Sequence, residues 1–318
     1  MRVLVTGANG FVGARVVDRL RREADLTLLC GPRGLRPERH RDLRWIQHDL
    51  RSSDPLNSFV RGHDGVIHLA GLAHILRNGP NDTWERFHAI NVDATRRLAR
   101  AAAEEGVGRF VLMSSGAVNG VRSLDRPFNE DDPADPSSHY GLSKQMAEAE
   151  VQAACRSGRM EWVALRPPVL IGPNTPGSIG MVMKLIEHRL PLPFGAIRNR
   201  RSYMGLNNFA DFVALAVRHP AAANQVFMLA DAPSLSTPDL IKLLAGCMGL
   251  RPRLLPVPVG LIQFGARITG RTSALKPLWA TLELDASKAV ELLGWQGEQP
   301  LKDAFQEAAS SFRRSKSR

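Results

Sequence analysis

The segment Thr6-Gly7-Ala8-Asn9-Gly10-Phe11-Val12-Gly13 constrains what this chain can become more than any other short stretch in it. It follows a β-branched run, Val3 to Thr6, and opens a stretch, Phe11 to Arg22, whose apolar residues recur at helical spacing. Glycines in that position allow a tight strand-to-helix turn. They also let the backbone approach an anion at the helix N-terminus, where free N–H groups and the helix dipole favour negative charge. The reading from these residues is a cradle for the pyrophosphate of a dinucleotide, formed by Gly7, Asn9, Gly10, Phe11, Val12 and Gly13.

The rest of the first half continues this strand-helix grammar. Strands are expected at Leu26–Cys30, Leu43–Gln47, Gly65–Ala70, Arg109–Ser114 and Trp162–Arg166. Helices are expected near Pro55–Arg61, Thr83–Glu105 and Tyr140–Ser157. Such alternation implies a parallel sheet covered on both faces. The expected fold is therefore α/β, a Rossmann-type doubly wound parallel sheet with a smaller, interleaved C-terminal substrate-binding region. Residues 1–166 would form the dinucleotide-binding domain, with parts of 203–232 returning to it, and 167–318 would be mainly substrate-binding.

A chain of 318 residues with 44% hydrophobic content can bury a large core. Its three cysteines are odd in number and show no CxxC spacing, so neither a disulfide framework nor a metal site is expected. The N-terminus has no charged-then-apolar leader, and no apolar run is long enough and uninterrupted enough to cross a bilayer. A cytoplasmic chain without membrane insertion is the expectation. A net charge of +11 calls for anionic partners. Arginines cluster at Arg33, Arg36, Arg39, Arg41 and Arg44, and again at Arg198, Arg200 and Arg201.

The second strand ends Leu29-Cys30-Gly31-Pro32-Arg33, without the acid that usually binds a ribose 2′-hydroxyl. An arginine there suits a 2′-phosphate, so the expected cofactor is NADP in preference to NAD, with Arg33 the first candidate and Arg36 the second. Asp49, in Gln47-His48-Asp49-Leu50, is read either as an acceptor for the adenine amine or as a helix cap.

Lys144 is the first lysine of the chain and stands four residues after Tyr140, so both project from one helical face. A phenol exchanges protons poorly near neutrality, and an adjacent cation would lower its pKa. A compact ammonium can also bind ribose hydroxyls, which a planar guanidinium matches badly. Ser114 and Ser115 follow the fifth strand at the expected carboxyl edge of the sheet, where a hydroxyl could hold a substrate oxygen.

With these residues in view, the sequence resembles the extended short-chain dehydrogenase/reductase family of nucleotide-sugar epimerases, dehydratases and reductases. The likeness runs through TGANGFVG at 6–13, HDL at 48–50, VIHLAG at 66–71, NVDAT at 91–95, SSGAVNG at 114–120, YGLSK at 140–144 and LRPPVLIGP at 165–173. It implies Tyr140 as catalytic acid/base, Lys144 as its cofactor-binding partner and Ser115 as the assisting hydroxyl. It further implies cofactor contacts from Asp49, Leu50, His68, Leu69, Ala70, Gly71, Asn91 and Pro167. Gly116, Asn174 and Arg201 would join Ser115 at the substrate, with Arg201 on a diphosphate. Val169 and Asn119 depart from the common pattern, standing where several 4-epimerases carry asparagine and where tyrosine is common.

Stretches such as NRRS, HPAAANQVF and LLPVP look more like a bacterial branch tied to surface-polysaccharide sugars, including reductases that make UDP-N-acetylquinovosamine. The implied activity is an oxidoreduction at C4 of a UDP-hexose, first as NAD(P)H-dependent reduction of a UDP-4-keto-6-deoxy-(N-acetyl)hexosamine. The alternative is a UDP-glucose or UDP-N-acetylglucosamine 4-epimerase with tightly bound NAD. A non-enzymatic dinucleotide-sensing or RNA-binding protein is a third reading, disfavoured by the complete Ser115, Tyr140, Lys144 set. The expected partners are a UDP-sugar and a second copy in a homodimer, with no specific nucleic acid.

Overall fold

A computed structural model describes residues 1–314 except Arg33, 35–39, 74–82, Leu124, Ser157 and Arg271, and except the side chains of Ser273 and Ala274. β1 (Arg2–Thr6) leads into α1 (Phe11–Leu20), followed by β2 (Asp25–Cys30), β3 (Arg44–Gln47), α2 (Asn57–Val60) and β4 (Gly65–His68). Next come α3 (Trp84–Phe87), a π-helical segment (His88–Asp93) and α4 (Ala94–Glu104), with no break between them. β5 (Arg109–Met113), a 3-10 turn (Gly116–Val118), α5 (His139–Cys155) and β6 (Glu161–Arg166) complete the first half. The second half contains β7 (Val169–Ile171), α6 (Ser178–Glu187), β8 (Pro191–Leu192), β9 (Arg201–Gly205), α7 (Leu206–Ala216), β10 (Gln225–Met228) and β11 (Asp231–Leu235). It ends with α8 (Thr237–Cys247), β12 (Arg253–Leu254), α9 (Val259–Ile268), α10 (Thr272–Leu275), α11 (Ser287–Leu293) and α12 (Leu301–Arg314).

Seven strands pair in the order β10-β6-β5-β4-β1-β2-β3, and every pairing in this sheet is parallel. Both faces are dry. Val3 and Val5 enter one apolar cluster with residues of α1 and α7, while Leu4 enters another with residues of α4 and α5. The same alternation separates Val111 from Phe110 and Leu112 on β5. This is why the strands read as near-continuous apolar runs: period-two alternation disappears when both faces are covered. The sequence order reverses around β1, which lies between β2 and β4 and so opens a crevice at the carboxyl ends of the strands.

After β6 the chain leaves the sheet through β7, α6 and β9, returns along α7, and adds β10 beside β6 as the seventh strand. A three-stranded sheet, β11-β9-β7, and helices α6, α8 and α12 enclose a third apolar cluster that includes Ile179, Leu244 and Phe305. The expected helix over Thr83–Glu105 is present but not uniform: its middle turns are π-helical, which is common where a helix must aim one residue at a functional site.

Candidate active site

The glycine turn takes its shape from contacts that no side chain would allow. Gly7 has φ of +69°, and a Cβ there would meet the Ala70 nitrogen at 2.7 Å. A Cβ on Gly13 would fall 2.1 Å from the Gly7 carbonyl oxygen, so only glycine lets α1 pack this close to the turn. Gly10 caps α1, and Asn9 Nδ2 donates to the Gly34 carbonyl at 2.8 Å, tying the turn to the loop after β2. A cradle of this form fits a dinucleotide pyrophosphate.

Next to it lies a buried hydrogen-bonded chain. Ala70 N donates to Thr6 Oγ1 at 3.3 Å, Thr6 Oγ1 lies 2.6 Å from His68 Nδ1, His68 Nε2 lies 2.9 Å from Thr95 Oγ1, and Thr95 donates to the Asn91 carbonyl at 2.7 Å. Because the Thr95 hydroxyl proton is committed to Asn91, the network assigns the Nε2–H tautomer to His68. Burial, with the Lys144 charge adding to it, pushes this imidazole down to about 3, so it is neutral. Asn91, in the π-helical segment, uses its whole amide: Oδ1 accepts from Leu72 N at 2.7 Å, while Nδ2 donates to Leu72 O at 3.0 Å and to Ser143 Oγ at 2.9 Å. Ser143 Oγ in turn donates to the Tyr140 carbonyl at 2.8 Å. Asn91 thus fixes the end of β4 against the first turn of α5.

That turn carries Tyr140 and Lys144. Ser138 caps α5, accepting from Gly141 N at 3.1 Å. A Cβ on Gly141 would lie 2.5 Å from the Ala117 carbonyl oxygen, so this glycine permits α5 to start against the turn that holds Ser115. Ser115 is held by its own hydroxyl, which accepts from Ala117 N at 3.2 Å, and by Gly116 N, which donates to the Pro167 carbonyl at 3.0 Å. Lys144 is buried and donates to the Met113 carbonyl at 2.8 Å. A Cβ on Gly71 would stand 3.1 Å from both Lys144 Nζ and Asn91 Oδ1, a space too tight for a guanidinium plane.

The proton equilibria differ from the expectation. Burial raises the Tyr140 phenol above its usual value, and the hydrogen bond with Ser115 opposes that rise; Lys144 does not set the shift. Burial pushes the Lys144 ammonium down to about 8, opposed by the charge of Glu148. The phenol is therefore held protonated at neutral pH, and the expected lowering by its lysine neighbour is not found.

Ser115, Gly116, Tyr140, Pro167 and Arg201 open into one pocket of about 360 Å³, which Lys276 and Pro277 also line. Arg201 is buried and donates to the Ala280 carbonyl at 3.1 Å; burial lowers its pKa, partly offset by hydrogen bonding with Tyr203. Among the described residues no carboxylate pairs with it. A desolvated guanidinium without a carboxylate is suited to an anionic ligand.

The whole first half and the returning segment fit one family description. A family model described as the NAD dependent epimerase/dehydratase family matches residues 3–230. The chain belongs to that family. It is 32% identical over 312 residues to the UDP-glucose 4-epimerase of Vibrio cholerae, covering 98% of this chain and 95% of that protein. It is 27% identical over 300 residues to the N-acetyl-alpha-D-glucosaminyl-diphospho-ditrans,octacis-undecaprenol 4-epimerase of Escherichia coli O157:H7, covering 90% and 88%. Among solved structures it is similar to MoeE5 in complex with UDP-glucuronic acid and NAD, with TM-score 0.80, 25% identity and coverage of 99% and 100%. The chain is thus an enzyme of the extended short-chain dehydrogenase/reductase kind.

Several expected family positions lie elsewhere or do other work. Asn174 does not reach the pocket of Tyr140; the turn at Gly172 to Thr175 carries it to a cavity beside α1 with Asn9, Gly10 and Phe11, where it accepts from Ser311. Asp49 is engaged by Arg51 through its Nε and Nη2, at 2.9 and 2.6 Å, and this guanidinium holds the carboxyl down at about 2. Leu50 is buried in the apolar cluster beneath α4. Leu69 and Ala70 follow β4 into the crevice. Arg33 and Arg36 lie outside the described residues.

Sequence reasoning missed two features. Lys276 sits 136 positions from Tyr140 in sequence yet lines the same pocket, and only the fold brings them together. Glu148, one turn after Lys144, is buried and receives hydrogen bonds from Ser114 and from Arg166, whose Nε and Nη2 lie at 2.9 and 2.6 Å. Arg166 Nη1 also donates to Asn119 Oδ1 at 2.8 Å. Asn119, at the departure from the family pattern, is thus a partner of this ion pair. The four-residue spacing of Lys144 and Glu148 was a usable signal, since it puts the carboxylate on the same helical face.

Proposed function

We propose that this enzyme carries out oxidoreduction at C4 of a UDP-hexose, and that its direction is reduction of a 4-keto group. The observation that carries the reading is the convergence of Ser115, Tyr140 and Arg201 on one pocket beside the glycine cradle. A nicotinamide dinucleotide, held by Gly7, Asn9, Gly10, Phe11, Val12, Gly13 and Lys144, with Asn91 positioning the segment beside it, would supply or accept the hydride. Tyr140 gives its phenolic proton to the C4 oxygen, and the Ser115 hydroxyl donates to the same oxygen as negative charge builds there. A phenol kept protonated by burial is suited to that donation. Lys144, with one donor used on Met113, has two left for ribose hydroxyls, and its charge stabilises the phenolate that remains. Arg201 binds the diphosphate through its planar fork, with Lys276 as a second positive charge in the pocket. NADP is proposed over NAD on the missing acid after β2.

A second reading, 4-epimerisation, is favoured by the 32% identity with the Vibrio cholerae UDP-glucose 4-epimerase over nearly the whole chain. There the phenolate form of Tyr140 would first take the O4 proton and later return it. The two readings separate in one experiment. Purified enzyme is mixed with NADPH or NADH and a UDP-4-keto-6-deoxy-N-acetylhexosamine, and nicotinamide absorbance is followed. Stoichiometric loss of reduced cofactor is expected; interconversion of UDP-glucose and UDP-galactose without net cofactor consumption would establish the epimerase instead.

A further inference from the structure

One surface of the second half is unexplained by sugar-nucleotide chemistry. On α9, Ile262 is buried in the apolar cluster of the second half and Ala266 is buried as well, while Leu261, Phe264 and Ile268 are 62%, 64% and 70% exposed. The exposed three recur at steps of three and four, so they form one stripe along the outer face of the helix. Leu255, just before the helix, is exposed as well. An apolar stripe turned outward on a helix already packed from behind marks a face that something covers.

The charge around this stripe says what. Between Asp239 and Glu283 the sequence has no acidic residue, while Lys242, Arg251, Arg253, Arg267, Arg271 and Lys276 all fall inside that interval. Arg251, Arg253 and Arg267 are exposed, Arg267 on α9 itself and the other two shortly before it in the chain. A second copy of the chain is a poor cover, because a two-fold interface places a patch against itself and would set this basic rim against its own like charge. An anionic, apolar-cored surface matches both features together.

We propose that α9 docks this enzyme on anionic phospholipid bilayers. Leu261, Phe264 and Ile268 enter the boundary between headgroups and acyl chains, and the flanking arginines meet lipid phosphates. With ten residues the helix lies in the plane of the surface and does not span it. Lys276 and Pro277, eight and nine residues after the end of α9, line the pocket of Tyr140. The surface also accounts for part of the net charge of +11 that two diphosphate-bearing ligands leave over. The inference holds whichever C4 reaction the pocket performs.

The test is flotation of the full chain with two vesicle preparations, one of phosphatidylcholine alone and one with roughly a third phosphatidylglycerol. The expected result is co-flotation with the anionic vesicles only, reduced at least about tenfold in a Leu261→Ser, Phe264→Ser, Ile268→Ser variant whose pocket still binds UDP as the parent does. No flotation of the parent would overturn the proposal. Equal flotation of the triple variant would also overturn it, because the arginines alone would then be responsible. A variant that floats normally but no longer self-associates in sedimentation would assign the stripe to a second copy.

Discussion

Charge is handled in opposite ways at two places in this molecule. Beneath the candidate site, Glu148 and Arg166 are both buried, and every hydrogen-bonding contact between them is filled or shared with Ser114 and Asn119. On and just before α9, Arg251, Arg253 and Arg267 are exposed, in a stretch of sequence from 240 to 282 without one acid. The first arrangement is forced, since a desolvated charge must find a partner within the fold. The second is tolerated because water solvates an exposed guanidinium at little cost, which leaves it available to something outside the chain. Charge that is paired internally specifies the structure, and charge left unpaired on the surface is where external recognition can act.

The comparison can be broken from the buried side first. Tyr140→Phe should cut turnover by about 10²- to 10⁴-fold, as expected for loss of a general acid, while cofactor binding measured by fluorescence titration stays within a few-fold. Comparable turnover in that variant would remove Tyr140 from the chemistry. Glu148→Gln should cost about 3–5 kcal/mol in denaturant unfolding, because it leaves Arg166 buried without its carboxylate. Arg201→Lys, which keeps the charge but loses the fork, should raise KM for the sugar nucleotide about tenfold with a smaller effect on kcat. A change in kcat alone would argue that Arg201 does not hold the diphosphate.

His68 gives a pH test. Its folded-state pKa of about 3 lies below the unfolded value near 6.5, so the unfolded chain takes up the proton first. Stability is complete above the unfolded value and is lost as pH falls from there towards 3. The contribution of His68 to the slope is about 1.4 kcal/mol per pH unit, and a His68→Gln variant should lack it when unfolding is followed between about pH 4 and 6. At the surface end of the comparison, Phe264→Ser should change folding stability by no more than about 0.5 kcal/mol, because its ring is already in water. A larger loss would mean that α9 belongs to the core after all.

The parts legible in the sequence are those encoded locally. The glycine turn announces itself because its three glycines answer contacts within a few residues or with one neighbouring strand, and Tyr140 and Lys144 share a face within one helical turn. The parallel sheet follows from alternation of apolar and helical runs, and β10, at Gln225–Met228, adds to it beside β6. What was hidden depends on distant pairing. Nothing near Lys276 points to Tyr140, and Asn174 was placed at the substrate by motif position although the turn after β7 sends it to α1. The direction of the Tyr140 shift is not legible in the sequence, which gives the presence of a cation but not the depth of burial that raises the phenol. The stripe on α9 escaped notice because apolar periodicity looks the same whether the face is packed or bare.

The π-helical segment His88–Asp93 carries a consequence for insertions and deletions. It winds wider than the helices on either side, and Asn91 reaches both Leu72 and Ser143 from that wider turn. Removing one residue there would let the rod close into ordinary α-helix and take away the wider turn from which Asn91 reaches out. The amide could then no longer bridge β4 and α5. This part of the chain accepts exchange of side chains more readily than a change in length, so homologous helices should keep their residue count here even where their sequences drift.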